Sequence, residues 1–230
     1  MGRRDLRAAA SAALPVMLGY LTIGIPCGVM EAEAGVSPLW AFVVSATFYS
    51  GAGQFMMSSL ALAGTPVAAM VASVSLLSAR QTLYAAALAP HVSSAPRPLA
   101  ALFAATVTDE SFGVNLERFV SDDAWTPARA TLVNLLSMLS WAAANALGAT
   151  VGPALAIPTA VMSFAMTSIF VCLLVAQRWT PVTAVVVAVS AGCVVAMKAL
   201  GLGSLSVLLG ALAGVAAGMV AAARRREGAS

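Results

Sequence analysis

Two apolar segments of this sequence are interrupted by polar stretches, Ser78-Ala79-Arg80-Gln81-Thr82-Leu83-Tyr84 in the first and Thr108-Asp109-Glu110-Ser111 in the second. Charged side chains are unfavourable at membrane depth, so those that occur there are usually buried among helices and often functional. If the two segments are antiparallel neighbours, a helical rise of about 1.5 Å per residue places Arg80 and Asp109 at similar depth, roughly 15 Å from the same surface. The sequence therefore predicts an ion pair within the membrane.

The composition of the chain excludes an ordinary water-soluble globule. Hydrophobic residues make up 60% of the 230 residues and charged residues only 9%, whereas soluble domains carry about 25% charged residues. Apolar runs of about 20 residues, each long enough to span a bilayer as a helix, recur along the chain. The alternating segments of about ten residues that are typical of transmembrane barrels are absent. The predicted fold class is all-α, a polytopic transmembrane helix bundle.

About eight spans are predicted, some of them broken or kinked. They cover approximately residues 8–30, 39–62, 66–88, 99–120, 128–150, 154–176, 182–197 and 202–223. Arginines precede the first span and follow the last, which by the positive-inside tendency places both termini in the cytoplasm and makes the number of spans even. Seven spans with a broken last segment remain an alternative. Gly210, Gly214 and Gly218 give the last span a face for close helix contact.

Residues 1–230 are expected to form a single integral-membrane domain, because no polar stretch is long enough for a separate soluble one. The first span is expected to be a retained, kinked helix, since its apolar run of about 22 residues exceeds the hydrophobic region of a signal peptide. Glu31 and Glu33 follow this run and are expected to lie outside. Cys27, Cys172 and Cys193 lie in apolar segments without metal or redox spacing and are expected to serve packing.

The second span carries near its middle the stretch Tyr49-Ser50-Gly51-Ala52-Gly53-Gln54-Phe55. Two glycines and an amide disfavour a smooth helix at this depth, and free backbone groups are tolerated there only where they line a cavity or are buried in protein. Transporters use such breaks to offer helix ends to a substrate. The alternative is close packing at small residues, with Gln54 hydrogen-bonded to a neighbouring helix. The candidate substrate-binding residues of this span are Ser50, Gly51, Gly53 and Gln54.

Arg80, Tyr84, Asp109 and Glu110 complete the candidate site. Arg80 and Tyr84 are one helical turn apart and share a face, whereas the adjacent Asp109 and Glu110 point about 100° apart and cannot both face one partner squarely. An arginine in a water-excluded cavity can hold a carboxylate bidentately, and a carboxylate beside it can hold an ammonium or exchange a proton. Such a pair suits a zwitterion, the charge pattern of an amino acid. It equally suits a structural ion bridge between the third and fourth spans.

Enzymatic, metal-dependent and nucleic-acid-binding functions are not expected. The sequence holds no HExxH, GxSxG or Walker motif and no paired metal-ligand spacing, so no cofactor and no metal are predicted. Its single histidine, His91, lies in a predicted loop, which makes a Ser-His-Asp arrangement within the membrane implausible. The basic clusters abut membrane segments and indicate topology. The alternative to a transporter is a non-transporting membrane scaffold subunit of a larger complex.

The order of several motifs resembles that of the AzlC family, the large subunit of bacterial branched-chain amino-acid exporters. The motifs are Pro15-Val16-Met17-Leu18-Gly19-Tyr20 with Gly24 and Gly28, Ser50-Gly51-Ala52-Gly53-Gln54-Phe55, Arg80 with Leu83-Tyr84, and Thr108-Asp109-Glu110-Ser111-Phe112. The resemblance covers roughly the first 120 residues. Family members often read Asn-x-Arg-His where this chain has Ser78-Ala79-Arg80-Gln81, so a titrating histidine is replaced here.

This resemblance implies a permease of the bacterial inner membrane that exports leucine, isoleucine, valine or similar amino acids. It implies that the proton gradient drives export. It also implies a small hydrophobic partner subunit of the AzlD type. The expected partners are therefore an amino-acid substrate, protons and this subunit.

Overall fold

A computed structural model describes residues 2–155, 164, 167, 168, 171, 175, 179–201 and 203–227. The described residues form α-helices joined by turns and short extended segments, with no strand among them. The all-α prediction is thereby confirmed. The sixth predicted span, residues 154–176, lies almost entirely outside the described residues, as does Cys172.

The helices follow one another with short connections. Their bounds are α1 Arg3–Glu33, α2 Pro38–Thr47, α3 Gly51–Leu62, α4 Val67–Ser78, α5 Arg80–Val92, α6 Arg97–Thr106, α7 Asp109–Ser121, α8 Pro127–Leu155, α9 Pro181–Ala199 and α10 Gly203–Glu227. Within the described residues, three helices are long and apolar enough to cross a membrane, namely α1, residues Pro127–Ala154 of α8, and α9. The count of about eight spans and the cytoplasmic termini stay predictions.

The chain divides into two compact units, one of residues 1–70 with 74–167 and one of residues 71–73 with 168–230. In the second unit, α9 and α10 pack against each other along the predicted glycine face. A Cβ atom at Gly214 would lie 2.0 Å from Ser190 Oγ, and one at Gly218 would lie 2.8 Å from Val186 Cγ2. These glycines are therefore packing positions, as predicted.

The second and fourth predicted spans are each broken into two short helices. Between α2 and α3 the chain leaves the helical conformation at residues 48–50, and between α6 and α7 it does so at residues 107–108. The third span is only distorted, because Ala79 between α4 and α5 keeps right-handed helical angles, φ −57° and ψ −26°. The break in the second span agrees with its glycines, whereas the one before Asp109 was not predicted.

Side-chain caps account for both breaks. Ser50 precedes α3, and its hydroxyl accepts a hydrogen bond from the backbone N–H of Gly53 at 3.3 Å. Thr108 precedes α7, where the Ser111 hydroxyl accepts from the Thr108 N–H at 2.9 Å and the Thr108 hydroxyl accepts from the Ser111 N–H. Such caps satisfy N–H groups that a helix start leaves unpaired. Thr108 and Ser111 therefore start a new helix inside an apolar segment long enough to be continuous.

The first predicted span is a single helix that extends past its predicted end. α1 contains Pro15 and Pro26 and ends at Glu33. The expectation that Glu31 lies outside the membrane stays a prediction, but the residue is buried within the protein and only 1% exposed. Glu33, two residues further, is exposed as expected. The difference arises because the carboxyl of Glu31 has a buried hydrogen-bond partner in α3, described below.

α1 and α8 form the most extensive helix pair of the first unit. A Cβ atom at Gly28 would lie 1.9 Å from the backbone oxygen of Asn145, and one at Gly148 would lie 2.1 Å from the backbone oxygen of Ile25. Such backbone approach at small residues is typical of helices in membranes, where burial of apolar surface supplies little association energy. The two helices therefore form the closely packed centre of this unit.

Substitution of Gly28 by alanine tests this contact. Gly28→Ala is expected to lower the free energy of unfolding by about 1–3 kcal/mol, because the added methyl group overpacks a site bounded by backbone atoms. Gly19→Ala in the same helix is the matched control, since its Cβ meets nothing within 4 Å. Detergent-solubilised protein unfolded by heat and followed by circular dichroism gives the comparison. Equal stability of the two variants would contradict the close contact.

Candidate functional site

Arg80 and Asp109 form the predicted ion pair. Arg80 Nη2 donates to Asp109 Oδ2 at 2.7 Å, and the two side chains are 28% and 30% exposed. The Tyr84 hydroxyl donates a hydrogen bond to Asp109 Oδ1. The Tyr84 ring stacks on Phe112 with 4.9 Å between ring centroids. Both oxygens of the Asp109 carboxylate therefore have a partner in α5, and the pair is held between α5 and α7.

Arg80 retains donor capacity beyond this ion pair. A guanidinium carries five N–H donors in a planar fork, and Arg80 Nε is buried without a hydrogen-bond partner in the described structure. An unpaired buried donor costs about 1–3 kcal/mol, which an incoming acceptor would recover. Arg80 can therefore bind a second carboxylate in addition to Asp109.

Glu110 faces a different partner from Asp109, as the angle between adjacent helical residues predicts. The Tyr20 hydroxyl donates to Glu110 Oε2 at 2.6 Å and lies 2.9 Å from Thr108 Oγ1. Tyr20 is 4% exposed and belongs to α1. One phenol thus connects α1 to the cap and first turn of α7. From the sequence, Tyr20 is part of a motif and not of the predicted site, because its partners lie 88 and 90 positions away.

The break in the second span is tied to the residues on either side of Arg80. Ser50 Oγ lies 3.2 Å from Ser78 Oγ. Gln81 Nε2 donates to the backbone oxygen of Tyr49 at 2.9 Å and so satisfies a carbonyl that the break leaves free. The structure therefore brings Ser50 close to the Arg80 segment, in agreement with the grouping predicted from sequence.

Gly51 and Gly53 have packing contacts. A Cβ atom at Gly51 would lie 3.3 Å from the Trp141 ring, and one at Gly53 would lie 2.7 Å from Ser50 Oγ. The absence of side chains here makes room for the indole and for the cap of α3. A role of the two glycines in binding substrate stays a prediction.

Gln54 belongs to a separate buried cluster, together with Glu31, Ser45 and Trp141. Gln54 Nε2 donates to Glu31 Oε1 at 3.0 Å and to Ser45 Oγ at 2.8 Å, and Gln54 Oε1 accepts from the indole N–H of Trp141. The indole nitrogen only donates, which fixes the orientation of the amide. Gln54 is 0% exposed, and its bonds match the alternative that sequence analysis left open. Its assignment to the substrate site stays a prediction.

Asn134 of α8 bonds to both halves of the broken fourth span. Its Nδ2 donates to the backbone oxygen of Phe103 at 3.3 Å and to Thr106 Oγ1 at 3.4 Å, while its Oδ1 accepts from Asn115 Nδ2 at 2.9 Å. Carbonyl groups at the end of a helix need such partners when water is excluded. The amide of Asn134 therefore stabilises the end of α6 and joins it to α7.

No cluster of three or more His, Cys, Asp or Glu side chains suited to a metal ion occurs among the described residues. The side chains of this site are suited to binding a charged ligand. The guanidinium of Arg80, with an unpaired Nε donor, lies at the start of α5, and two adjacent carboxylates lie in the first turn of α7, each bonded to a tyrosine hydroxyl. The described residues thus define a helical protein with helices long and apolar enough to span a membrane, in which several polar groups gather where predicted spans are broken.

Residues 15–155 match the protein family described as "AzlC protein", which is more than half of the chain. This chain belongs to the AzlC family, and the resemblance identified from its motifs is confirmed. The match extends well beyond residue 120 and includes most of α8.

Three relatives give the level of similarity. An "Uncharacterized membrane protein" of Helicobacter pylori J99 is 29% identical over 174 residues, which cover 71% of this chain and 72% of that protein. "Branched-chain amino acid transport protein AzlC" of Bacillus subtilis 168 is 26% identical over 176 residues, 74% of this chain and 67% of that protein. "Inner membrane protein YgaZ" of Escherichia coli K12 is 26% identical over 144 residues, 62% of this chain and 59% of that protein. No solved structure matches this chain.

A double-mutant cycle on the ion pair tests its energetic coupling. Arg80→Gln and Asp109→Asn are each expected to destabilise the fold, because each leaves the partner charge without its counter-ion. Combining them is expected to cost less than the sum, with a coupling free energy of about 1–3 kcal/mol from unfolding in detergent. Arg97 is exposed, so pairing Arg97→Gln with Asp109→Asn gives the additive control. Additivity of the Arg80 and Asp109 effects would contradict the pair.

Proposed function

We propose that this protein is a secondary transporter that exports branched-chain or other apolar amino acids across the bacterial inner membrane. The observation that carries the proposal is the ion pair of Arg80 and Asp109, placed where membrane segments are broken or distorted. Membership of the AzlC family supports a role in membrane transport of amino acids. A relative named for branched-chain amino-acid transport supports the substrate class.

The amino-acid backbone is recognised by charge complementarity. The substrate carboxylate binds Arg80, whose buried Nε has no partner in the described structure. The substrate ammonium binds Asp109, whose bond to Arg80 weakens because the guanidinium now shares its charge with the incoming carboxylate. Tyr84 keeps Asp109 in place during this exchange through its hydrogen bond to Oδ1. The ion pair thereby neutralises the empty site and opens for a zwitterion.

The apolar side chain of the substrate lies against aromatic surface. Phe112 is stacked on Tyr84 next to Asp109. A branched aliphatic side chain placed there gains burial free energy of about 1.5–3 kcal/mol. Polar or charged amino acids would leave unpaired groups against these rings and are discriminated against.

The topology, the partner subunit and the coupling are proposed from the sequence and from what the family resemblance implies. Residues 1–230 form one transporter domain of about eight spans with cytoplasmic termini, and the protein acts with a small AzlD-type subunit. Export is coupled to protons. The substrate site is completed by the other predicted residues, namely Ser50, Gly51, Gly53, Gln54 and Glu110. Ser50 and its neighbours lie at the break of the second span, and Glu110 is held by the Tyr20 hydroxyl.

Efflux from cells tests the substrate and the role of Arg80. Cells that lack this gene and its small neighbour are expected to retain preloaded leucine or valine longer than cells in which both genes are restored. Arg80→Ala is expected to reduce efflux about a hundredfold, because it removes the substrate carboxylate's partner and one member of a partly buried charge pair. Arg97→Ala, an exposed site, is expected to leave efflux unchanged. Normal efflux with Arg80→Ala at equal membrane levels would remove Arg80 from the site.

Reconstitution separates transport from scaffolding. Protein purified with its small subunit is placed in liposomes, and leucine flux is measured directly. Flux that depends on Arg80 supports the transporter. A stable complex without flux of leucine, valine or isoleucine would favour the scaffold and reject the transport assignment.

A further inference from the structure

Glu31 is a buried carboxyl group outside the Arg80 site. It is 1% exposed, and Gln54 Nε2 is the side-chain donor to its Oε1, at 3.0 Å. Its Oε2 is buried and has no hydrogen-bond partner in the described structure. Gln54 cannot supply a second donor, because its other N–H is given to Ser45 and its oxygen accepts from Trp141. The carboxyl therefore has one neutral donor for four lone pairs.

No cation balances Glu31 within the described residues. The ion pairs there are Arg80 with Asp109 and Arg129 with Asp5. Of the helices that pack against α1, α2 and α3 contain no titratable side chain and the described α8 contains only Arg129. The fourth, α7, contains Asp109, Glu110, Glu117 and Arg118, and Glu110 meets α1 at Tyr20, 11 residues before Glu31. Arg129 is 12 residues before Trp141, which is about 18 Å along a helix. On α1 itself, the neighbours that can titrate are the buried Cys27 and the exposed Glu33.

We propose that Glu31 binds a proton at Oε2 and is the proton site that couples to amino-acid transport. An isolated ionised carboxylate in such surroundings is so costly that it takes up a proton instead. The proton adds to Oε2 in the buried state and leaves to water when the site opens, with no other bond made or broken. This inference rests on the proposed function for its coupling role, but proton binding itself does not.

A continuous set of contacts joins this carboxyl to the Arg80 site. Gln54 links Glu31 to Trp141, and the Trp141 ring meets the Tyr20 ring edge-on with 5.3 Å between centroids. Tyr20 in turn binds Glu110 in the first turn of α7, next to Asp109. Ionisation of Glu31 strengthens the hydrogen bond from Gln54 and draws further donors or water to Oε2, which shifts the amide that also holds Trp141. The state of the proton site is thereby transmitted to the helix that carries Asp109.

Infrared spectroscopy tests proton binding without reference to transport. The purified full chain is expected to show a carbonyl-stretch band of a protonated carboxyl group at neutral pH, and Glu31→Gln is expected to lack it. Glu33→Gln, altered two residues away at an exposed position, should retain the band. Absence of a band assignable to Glu31 in the wild-type protein overturns the proposal. Glu31→Asp, which keeps a titrating group, provides a second variant if Glu31→Gln does not fold.

Liposome transport tests the coupling. Glutamine imitates a protonated Glu31 that cannot release its proton. Glu31→Gln is therefore expected to lower leucine flux driven by a pH difference about tenfold. Leucine exchange measured without a pH difference is expected to change by less than about twofold. Glu33→Gln should match the wild type in both assays. Retention of pH-driven flux by Glu31→Gln would overturn the coupling role. Absence of any amino-acid flux in the wild type would instead reject the proposed function, and the infrared result would still decide proton binding.

Discussion

A guanidinium and a carboxylate 2.7 Å apart set the arrangement of the helices around them. Removing either partner would leave the other charge partly buried and unpaired, so α5 and α7 present Arg80 and Asp109 to each other. The neighbouring contacts follow from this constraint. Tyr84 lies on the same face of α5 as Arg80 and donates a hydrogen bond to the second carboxylate oxygen of Asp109. The next residue, Glu110, necessarily points elsewhere and meets Tyr20 of α1.

α8 provides the fixed surface against which the broken spans are stabilised. It packs against α1, α2, α6 and α7. Two of its fully buried polar residues bond to other helices, Asn134 at the end of α6 and Trp141 at Gln54, whereas Asn145 bonds to its own helix. A polar face on an otherwise apolar helix is costly unless it is paired. Here it supplies the hydrogen bonds that irregular backbone and buried amides require.

The sequence alone predicted the contacts that depend on distance along a helix or on regular residue spacing. The ion pair followed from matching distances along two antiparallel segments, and the glycine face of α10 followed from four-residue spacing. The break before Asp109 was not predicted, because hydrophobicity alone indicates one continuous helix over residues 99–120. The spacing of Thr108 and Ser111 is nevertheless typical of a helix cap. The burial of Glu31 was missed for a different reason. It depends on Gln54, 23 residues away, and no local pattern reveals such a partner.

The contact of Gly28 and Gly148 with facing backbone oxygens limits how the molecule can move. With no side chain between them, α1 and α8 cannot slide past each other without a steric clash of main-chain atoms. They must travel as one body. In the proposed transport cycle, the change between inward-facing and outward-facing states therefore falls to the half-helices, with the capped breaks at Ser50 and Thr108 as hinges.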